Sequence, residues 1–278
     1  LFETEFLYYL LSSPFVFNQF NELAAGSTVR NLNIALVSSV TVPIPSLPEQ
    51  LRIVRLLDEA FASISTAKAN AEQNLKNARE LFESYLQSVF ASKDEGWEIK
   101  TLNQISENLD SKRIPITQNV RSKGSVPYYG ASGIVDYVKD YLFDEDLLLV
   151  SEDGANLLAR TYPIAFSITG KSWVNNHAHI LKFRHMASQT YVEYYLNSIK
   201  LDDYVSGMAQ PKLNQKMLNS IEIPFPPLPE QQTIIKKLNS LSIEIKRLQA
   251  IYQQKLNDLE EFKKSILHKA FNGELKVS

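Results

Sequence analysis

Apolar residues recur at spacings of three and four over two long stretches of the chain. Ile53, Leu57, Phe61, Ile64, Ala67, Ala71, Leu75, Ala78, Phe82, Leu86 and Val89 form one stripe. Ile234, Leu238, Leu241, Ile245, Leu248, Tyr252, Leu259, Phe262 and Ile266 form the other. A stripe this narrow, kept up for about 40 residues, predicts two helices, over 47–91 and 228–271, that share a coiled-coil seam. At ~1.5 Å per residue each is about 60 Å long, which is a spacer's length. Between them the period changes. Val126–Tyr129, Leu147–Val150, Ile164–Ile168 and Ile180–Phe183 read as strands set off by Gly, Asp and Asn turns, and a helix over 189–200 follows. Ahead of the first stripe, residues 3–13 make an amphipathic helix that Pro14 ends. The predicted fold class is α+β. A small β-rich α/β domain over 97–222 is inserted between two long helices, which pair antiparallel because the chain must return to where it left. The domain then caps one end of the rod.

The two stripes belong to a repeat. Pro43-Ile44-Pro45-Ser46-Leu47-Pro48-Glu49-Gln50 matches Pro224-Phe225-Pro226-Pro227-Leu228-Pro229-Glu230-Gln231 at an offset of 181, and the match runs without a gap from Gly26 to Ser92. In each copy a short alternating strand (Val40-Thr41-Val42; Ile221-Glu222-Ile223) runs into prolines that hold the backbone extended. The next proline falls in the first helical turn, where its missing N–H costs nothing, and Glu49 and Glu230 sit where the helix dipole favours negative charge. Asn272-Gly273 reads as the stop of the second helix. Upstream of the repeat, Tyr8-Tyr9-Leu10 with Ser12 echoes Tyr194-Tyr195-Leu196 with Ser198, which leaves five extra residues in the first copy. Residues 1–39 therefore read as the tail of a domain whose complete version comes later.

Composition narrows the class. The chain has 278 residues, 44% hydrophobic content and a formal net charge of -2, enough for a sizeable core and up to two domains. Neither that charge nor a pI near 6.2 advertises nucleic-acid binding, yet local clusters set the field at a binding face. The absence of cysteine excludes disulfide frameworks, thiolate metal sites and cysteine nucleophiles, and fits a reducing compartment. No run of about 18 apolar residues is present to span a membrane. The opening Leu1–Phe6 has no basic stretch of a signal peptide and no initiator Met, so the chain reads as cytoplasmic and as starting in mid-domain.

This arrangement resembles the specificity subunit of type I restriction–modification enzymes. The likeness is carried by the duplicated Pro-x-Pro-x-Leu-Pro-Glu-Gln with its helix and by Lys269-Ala270-Phe271-Asn272-Gly273-Glu274-Leu275. It is carried also by Val126–Ile134, by Trp173-Val174-Asn175-Asn176-His177-Ala178-His179, and by Gly96-Trp97-Glu98 with Leu102. The resemblance implies a remnant of a first target recognition domain over 1–46, a first spacer helix over 47–95, a complete recognition domain over 96–227, and a second spacer helix with its tail over 228–278. It implies a non-catalytic subunit that reads one half of a split sequence in double-stranded DNA. Its helices dock methyltransferase subunits and, through them, a restriction subunit. With only a remnant of the first recognition domain, the resemblance implies either a piece of a longer subunit or a half-type subunit that pairs with itself. No cofactor is expected.

Reading bases takes donors and acceptors at groove edges, plus cations on phosphates. Lys112, Arg113, Arg121 and Lys123 form the main basic cluster, either on phosphate or in a solvated loop. Tyr128 and Tyr129, beside the close-approach glycine Gly130, offer hydroxyls to phosphate, with core packing of one ring as the competing fate. Lys171 opens a block in which Asn175 and Asn176 suit adenine edges, although turn-forming Asn and buried His fit the block equally. Gln210, Lys212 and Asn214 stand in a polar loop that opens a short helix, matched in the first copy by Val29-Arg30-Asn31-Leu32-Asn33.

Chemistry of the chain's own is not expected. His177-x-His179 has no further ligand at useful spacing for a metal. Ser151-Glu152-Asp153-Gly154 has no adjacent Lys to complete a nuclease-like site and reads as a capped turn. An Asn/Asp-Pro-Pro-aromatic loop, a glycine-rich cofactor turn and a phosphate loop are all missing. A second reading is a coiled-coil scaffold whose β-rich domain grips protein, since 97–222 carries 13 basic against 14 acidic residues.

Overall fold

The computed structural model describes residues 2–23, 33–91, 96–207 and 210–274. The loop Val29–Leu32 and the repeat positions Gly26 and Ser92, with Leu275, lie outside them. Two compact units are present, Leu1–Arg79 with Ile245–Ser278, and Glu80–Glu244. Their boundaries cut across both long helices, α4 (Leu47–Ala91) and α9 (Leu228–Phe271), so each helix serves two cores.

Unit 1 begins with α1 (Thr4–Leu11) and α2 (Pro14–Leu23). Pro14 thus opens a second helix rather than only closing the first, since its fixed φ suits a first helical position. The short α3 (Ile34–Ser38) is capped by Asn33, whose side chain accepts the Leu36 N–H at 2.9 Å. The strand expected over Val40–Val42 is not formed: residues 40–46 enter α4 without strand pairing among the described residues. The core joins Phe6, Leu10 and Val16 to Ile53, Val54 and Leu57 from α4 and to Leu267, Ala270 and Phe271 from α9. Lys68 meets Glu260 at 2.7 Å, and the Lys263 ammonium lies 5.1 Å from the Phe61 ring centre, so the two helices run antiparallel here.

Unit 2 holds the β-rich domain. β1 (Glu98–Thr101) leads to α5 (Leu102–Ile105), β2 (Ser106–Asn108), β3 (Lys123–Gly130), β4 (Gly133–Val138), β5 (Phe143–Asp144) and β6 (Leu147–Ser151). α6 (Asn156–Ala159), β7 (Ala165–Ile168), β8 (Lys171–Val174), β9 (Ala178–Phe183), α7 (Met186–Ser198), α8 (Gln215–Asn219) and β10 (Glu222–Phe225) complete it. One four-stranded sheet has the order β2-β9-β6-β7, another the order β4-β3-β8-β5, and β1 pairs with β10 alone. Leu147–Val150 of β6 are apolar without a break instead of alternating, which is what a strand covered on both faces requires. Leu148 and Val150 enter a core with Tyr191, Val192 and Leu196 of α7. Leu147 and Leu149 enter another, with Val174 of the second sheet. Leu86 and Phe90 of α4 and Leu238 of α9 join the first of these cores. Leu81 and Tyr85 of α4 line a groove with Lys237 and Leu241 of α9.

Each unit, taken by itself, repeats one local plan with α4 and α9 exchanging roles. Gln50 donates to Pro45 O at 2.9 Å and accepts the Glu3 N–H at 2.7 Å; Gln231 donates to Pro226 O at 2.7 Å and accepts the Ser188 hydroxyl at 2.8 Å. The Tyr9 hydroxyl donates to Asp58 at 2.5 Å, and that of Tyr194 to Asn239 at 2.6 Å. Ser13 donates to Leu10 O, as Ser198 does to Tyr195 O. These pairs correct the sequence match. Tyr9, not Tyr8, is the counterpart of Tyr194, so the first copy carries four extra residues there rather than five.

Candidate nucleic-acid interface

At one rim of unit 2 the ends of several strands converge. The tight β3–β4 turn brings Ala131 O onto the Ser151 hydroxyl at 2.6 Å, and Asn175 N–H donates to Tyr129 O at 3.0 Å. Gly130 is the close-approach position that its neighbours require. A Cβ there would lie 3.0 Å from a Val135 methyl and 3.3 Å from the Asn175 amide nitrogen. The 210–214 loop is laced to the same rim, with Gly154 N–H donating to Pro211 O at 3.0 Å and Leu213 N–H to Glu152 O at 2.8 Å.

Beneath this rim lies a buried ionic network. The Asp110 carboxylate accepts the Ile180 N–H at 2.8 Å and faces His179 Nδ1 at 2.5 Å. His179 Nε2 faces Leu213 O at 2.7 Å, so both ring nitrogens meet oxygen atoms. Arg113 reaches Glu152 at 2.6 Å, Ala178 O at 2.9 Å and Asp110 O at 3.1 Å. Lys212 closes on the other Glu152 oxygen at 3.1 Å. Burial pushes the Asp110 carboxyl up, but the His179 hydrogen bond and charge, the Ile180 N–H and Arg113 outweigh it and hold the carboxyl below its ordinary value. Glu152 also stays low: burial is outweighed by the Arg113 hydrogen bond, the His179 charge and Lys212.

The network sorts the candidate side chains. The Arg113 side chain is 15% exposed and its guanidinium is committed to the network. Arg121 is likewise engaged, with Asp136 at 3.0 Å, Ile116 O at 3.2 Å and the Tyr128 ring centre at 4.2 Å. Its hydrogen bond holds the Asp136 carboxyl below its ordinary value. Tyr128 is buried and shares its hydroxyl with the Ile116 backbone. Tyr129 is half-buried with its ring 6.1 Å from Phe166, and burial followed by the nearby Tyr137 raises its hydroxyl pKa. Asn175 is buried and accepts the His177 N–H at 2.8 Å, the turn-forming role; Asn214 caps α8 through the Met217 N–H at 3.0 Å.

Lys112, Lys123, Lys171, Asn176, Gln210 and Lys212 are exposed. Of these, Lys112, Asn176 and Gln210 border the network by their places in its loops, and Lys212 belongs to it through Glu152 while its side chain stays 53% exposed. β3 and β8 run parallel, so Lys123 and Lys171 open their strands at the end of the second sheet away from Gly130 and Asn175. The Lys171 ammonium lies 4.6 Å from the Tyr141 ring centre. Sequence reasoning missed the outward pair of His177 and Asp153, 2.8 Å apart. The His-x-His spacing alone does not say that one ring turns out and the other in. Among the described residues no group of three or more His, Asp or Glu side chains is arranged to hold a metal ion.

The model of the type I restriction modification DNA specificity domain matches residues 2–77 and 94–261. The chain belongs to that family. A putative type I restriction enzyme specificity subunit of Haemophilus influenzae is 31% identical over 168 residues, covering 60% of this specificity-domain chain and 42% of that protein. The EcoDI specificity subunit of Escherichia coli is 25% identical over 334 residues, covering 99% and 71%. The chain thus spans less than half of the first relative and about seven tenths of the second. A solved chain from work on complex assembly and conformational transition of the type I R-M system superposes with a TM-score of 0.82 at 21% identity, covering 98% of this chain and 72% of that one. That likeness is one of fold: a β-rich body between long paired helices.

Proposed function

We propose that the chain supplies DNA sequence specificity to a type I restriction–modification assembly and carries out no catalysis itself. The observation that carries this is the family match across both units, coinciding with a rim where exposed cations and amides stand on a rigid charged base. Lys112 and Lys212 neutralise phosphates, and Asn176 and Gln210 reach base edges. Lys123 and Lys171 extend the positive track along the second sheet. Arg113, Arg121, Tyr128, Tyr129, Asn175 and Asn214 position this surface from within instead of touching DNA. The groove at Leu81, Tyr85 and Leu241, edged by Lys236 and Lys237, serves a methyltransferase subunit, through which a restriction subunit joins; self-pairing of the chain supplies a second reading head. The assembly acts in the cytoplasm. The family match does not favour a protein-gripping scaffold.

The test is a binding comparison of random and selected duplexes by the chain combined with methyltransferase subunits. A selected duplex should bind at least about a thousandfold more tightly at physiological salt. Equal affinity for both pools defeats the proposal.

A further inference from the structure

His177 and His179, two residues apart in the chain, end up in opposite settings. His179 is buried with both ring nitrogens engaged, whereas the His177 side chain is 52% exposed and meets a partner through Nδ1. That partner is Asp153, whose carboxylate oxygens lie 2.8 and 3.0 Å from Nδ1. The His177 backbone is held on both sides. Its N–H donates to Asn175 Oδ1 at 2.8 Å, and its carbonyl accepts the Glu152 N–H at 2.9 Å. Asp153 is held too, in an antiparallel bridge with Lys212 and beside the Gly154 N–H bond to Pro211 O. The ring therefore stands fixed at the rim next to the exposed Asn176, and among the described residues nothing meets its Nε2.

A carboxylate only accepts, so in the neutral imidazole the Asp153 contact puts the proton on Nδ1 and leaves Nε2 as an acceptor. The carboxylate behind that acceptor repels phosphate, so this point of the rim is suited to base edges rather than to the DNA backbone. In the major groove adenine N6 and cytosine N4 offer amino donors, while guanine O6 and thymine O4 are acceptors. An outward Nε2 acceptor therefore matches the amino bases and opposes the other two. Stability does not account for the pair, because exposed pairs of this kind contribute little to it.

We propose that His177 is a base-reading residue of this rim, accepting through Nε2 from the amino group of an adenine or a cytosine, and that Asp153 is its positioning residue. Asp153 decides which ring nitrogen carries the proton, and so which class of base is read. The inference rests on the DNA-reading function proposed above and deepens it. It ties one position of the recognised sequence to an amino base on the strand that His177 faces.

Duplexes are selected from a randomised pool by the chain combined with methyltransferase subunits, at about pH 8.5, where an ordinary imidazole is neutral. The wild-type motif should demand A or C at one position, with G or T there weakening binding at least about fivefold. His177→Ala should lose that demand alone and keep the rest of the motif. Asp153→Asn, whose amide either accepts from Nδ1–H or donates to a bare Nδ1, should admit G and T alongside A and C. Nitrogen NMR of the ring should show the proton on Nδ1 in the wild type and divided between the two nitrogens in Asp153→Asn. A motif unchanged in both variants overturns the inference and leaves the specificity role standing. So does an equal loss of affinity on every sequence in His177→Ala, or a wild-type ring protonated on Nε2. A wild-type pool that shows no selection at all removes the specificity role, and this inference with it.

Discussion

Phe6 meets Phe271 edge-on, with ring centres 5.4 Å apart and planes at 70°. In the other unit Phe90, 181 residues before Phe271, meets Tyr191 at 5.4 Å and 74°. The same aromatic wedge therefore closes both cores, supplied each time by the last turn of one long helix. Truncating either phenylalanine removes a buried ring from a packed site and should cost about 3–5 kcal/mol. Urea unfolding of Phe90→Ala and Phe271→Ala should show losses of similar size. Phe262→Ala, at a side chain that is 56% exposed, should change stability by no more than about 0.5 kcal/mol.

Neighbouring cations should behave oppositely. Arg113→Ala leaves Asp110 and Glu152 buried without their main guanidinium partner, an expected loss of about 3–5 kcal/mol in denaturant unfolding. Lys112→Ala should leave stability unchanged but weaken DNA binding on all sequences alike. Its slope of log affinity against log salt should fall by about 1, measured by titration at several salt concentrations. A stability loss at Lys112 with no change in salt slope would remove it from the interface.

The network also fixes the sign of a pH response. Asp110 and Glu152 are both held below their ordinary values in the folded chain. A depressed carboxylate contributes stability that is complete above its unfolded value and drains away as pH falls through its folded value. Stability should therefore hold at neutral pH and decline from about pH 4.5 downward. Asp110→Asn and Glu152→Gln should each start lower at neutral pH and lose less on acidification. Urea midpoints at neutral and acid pH, compared across the three proteins, check this.

The glutamines of the repeated Leu-Pro-Glu-Gln make a matched pair of tests. Gln231→Ala deprives a buried Ser188 hydroxyl and the Pro226 carbonyl of their partner, and should cost about 1–3 kcal/mol. Gln50→Ala deprives the Glu3 N–H and the Pro45 carbonyl, and should cost a similar amount. Thermal unfolding with glutamate and leucine variants alongside would separate the hydrogen bonds from the packing.

What was legible in the sequence was whatever repeats or keeps a period. The long helices, the β6 and β9 strands, the close approach at Gly130 and the helix stop at Gly273 all declare themselves locally. The one-residue error in matching Tyr8 to Tyr194 arose because adjacent tyrosines on an amphipathic helix fit in either register; only long-range partners such as Asp58 and Asn239 decide. Arg113 and Arg121 looked like free cations because their acceptors, Glu152 and Asp136, lie 39 and 15 residues away. The β5 strand, two residues long, has no pattern to read, and the Val40–Val42 alternation suggested a strand where none is formed, because a period of two says nothing of a pairing partner.

That α4 and α9 are each shared between two cores bears on how such chains can diversify. A crossover that replaces residues 97–222 exchanges the β-rich domain and leaves each helix whole, provided that the new domain still meets Leu86, Phe90 and Leu238. A breakpoint inside 47–91 or 228–271 instead joins half-walls of different ancestry within one seam. An exchange of the inserted domain is therefore least disruptive where the helices begin and end.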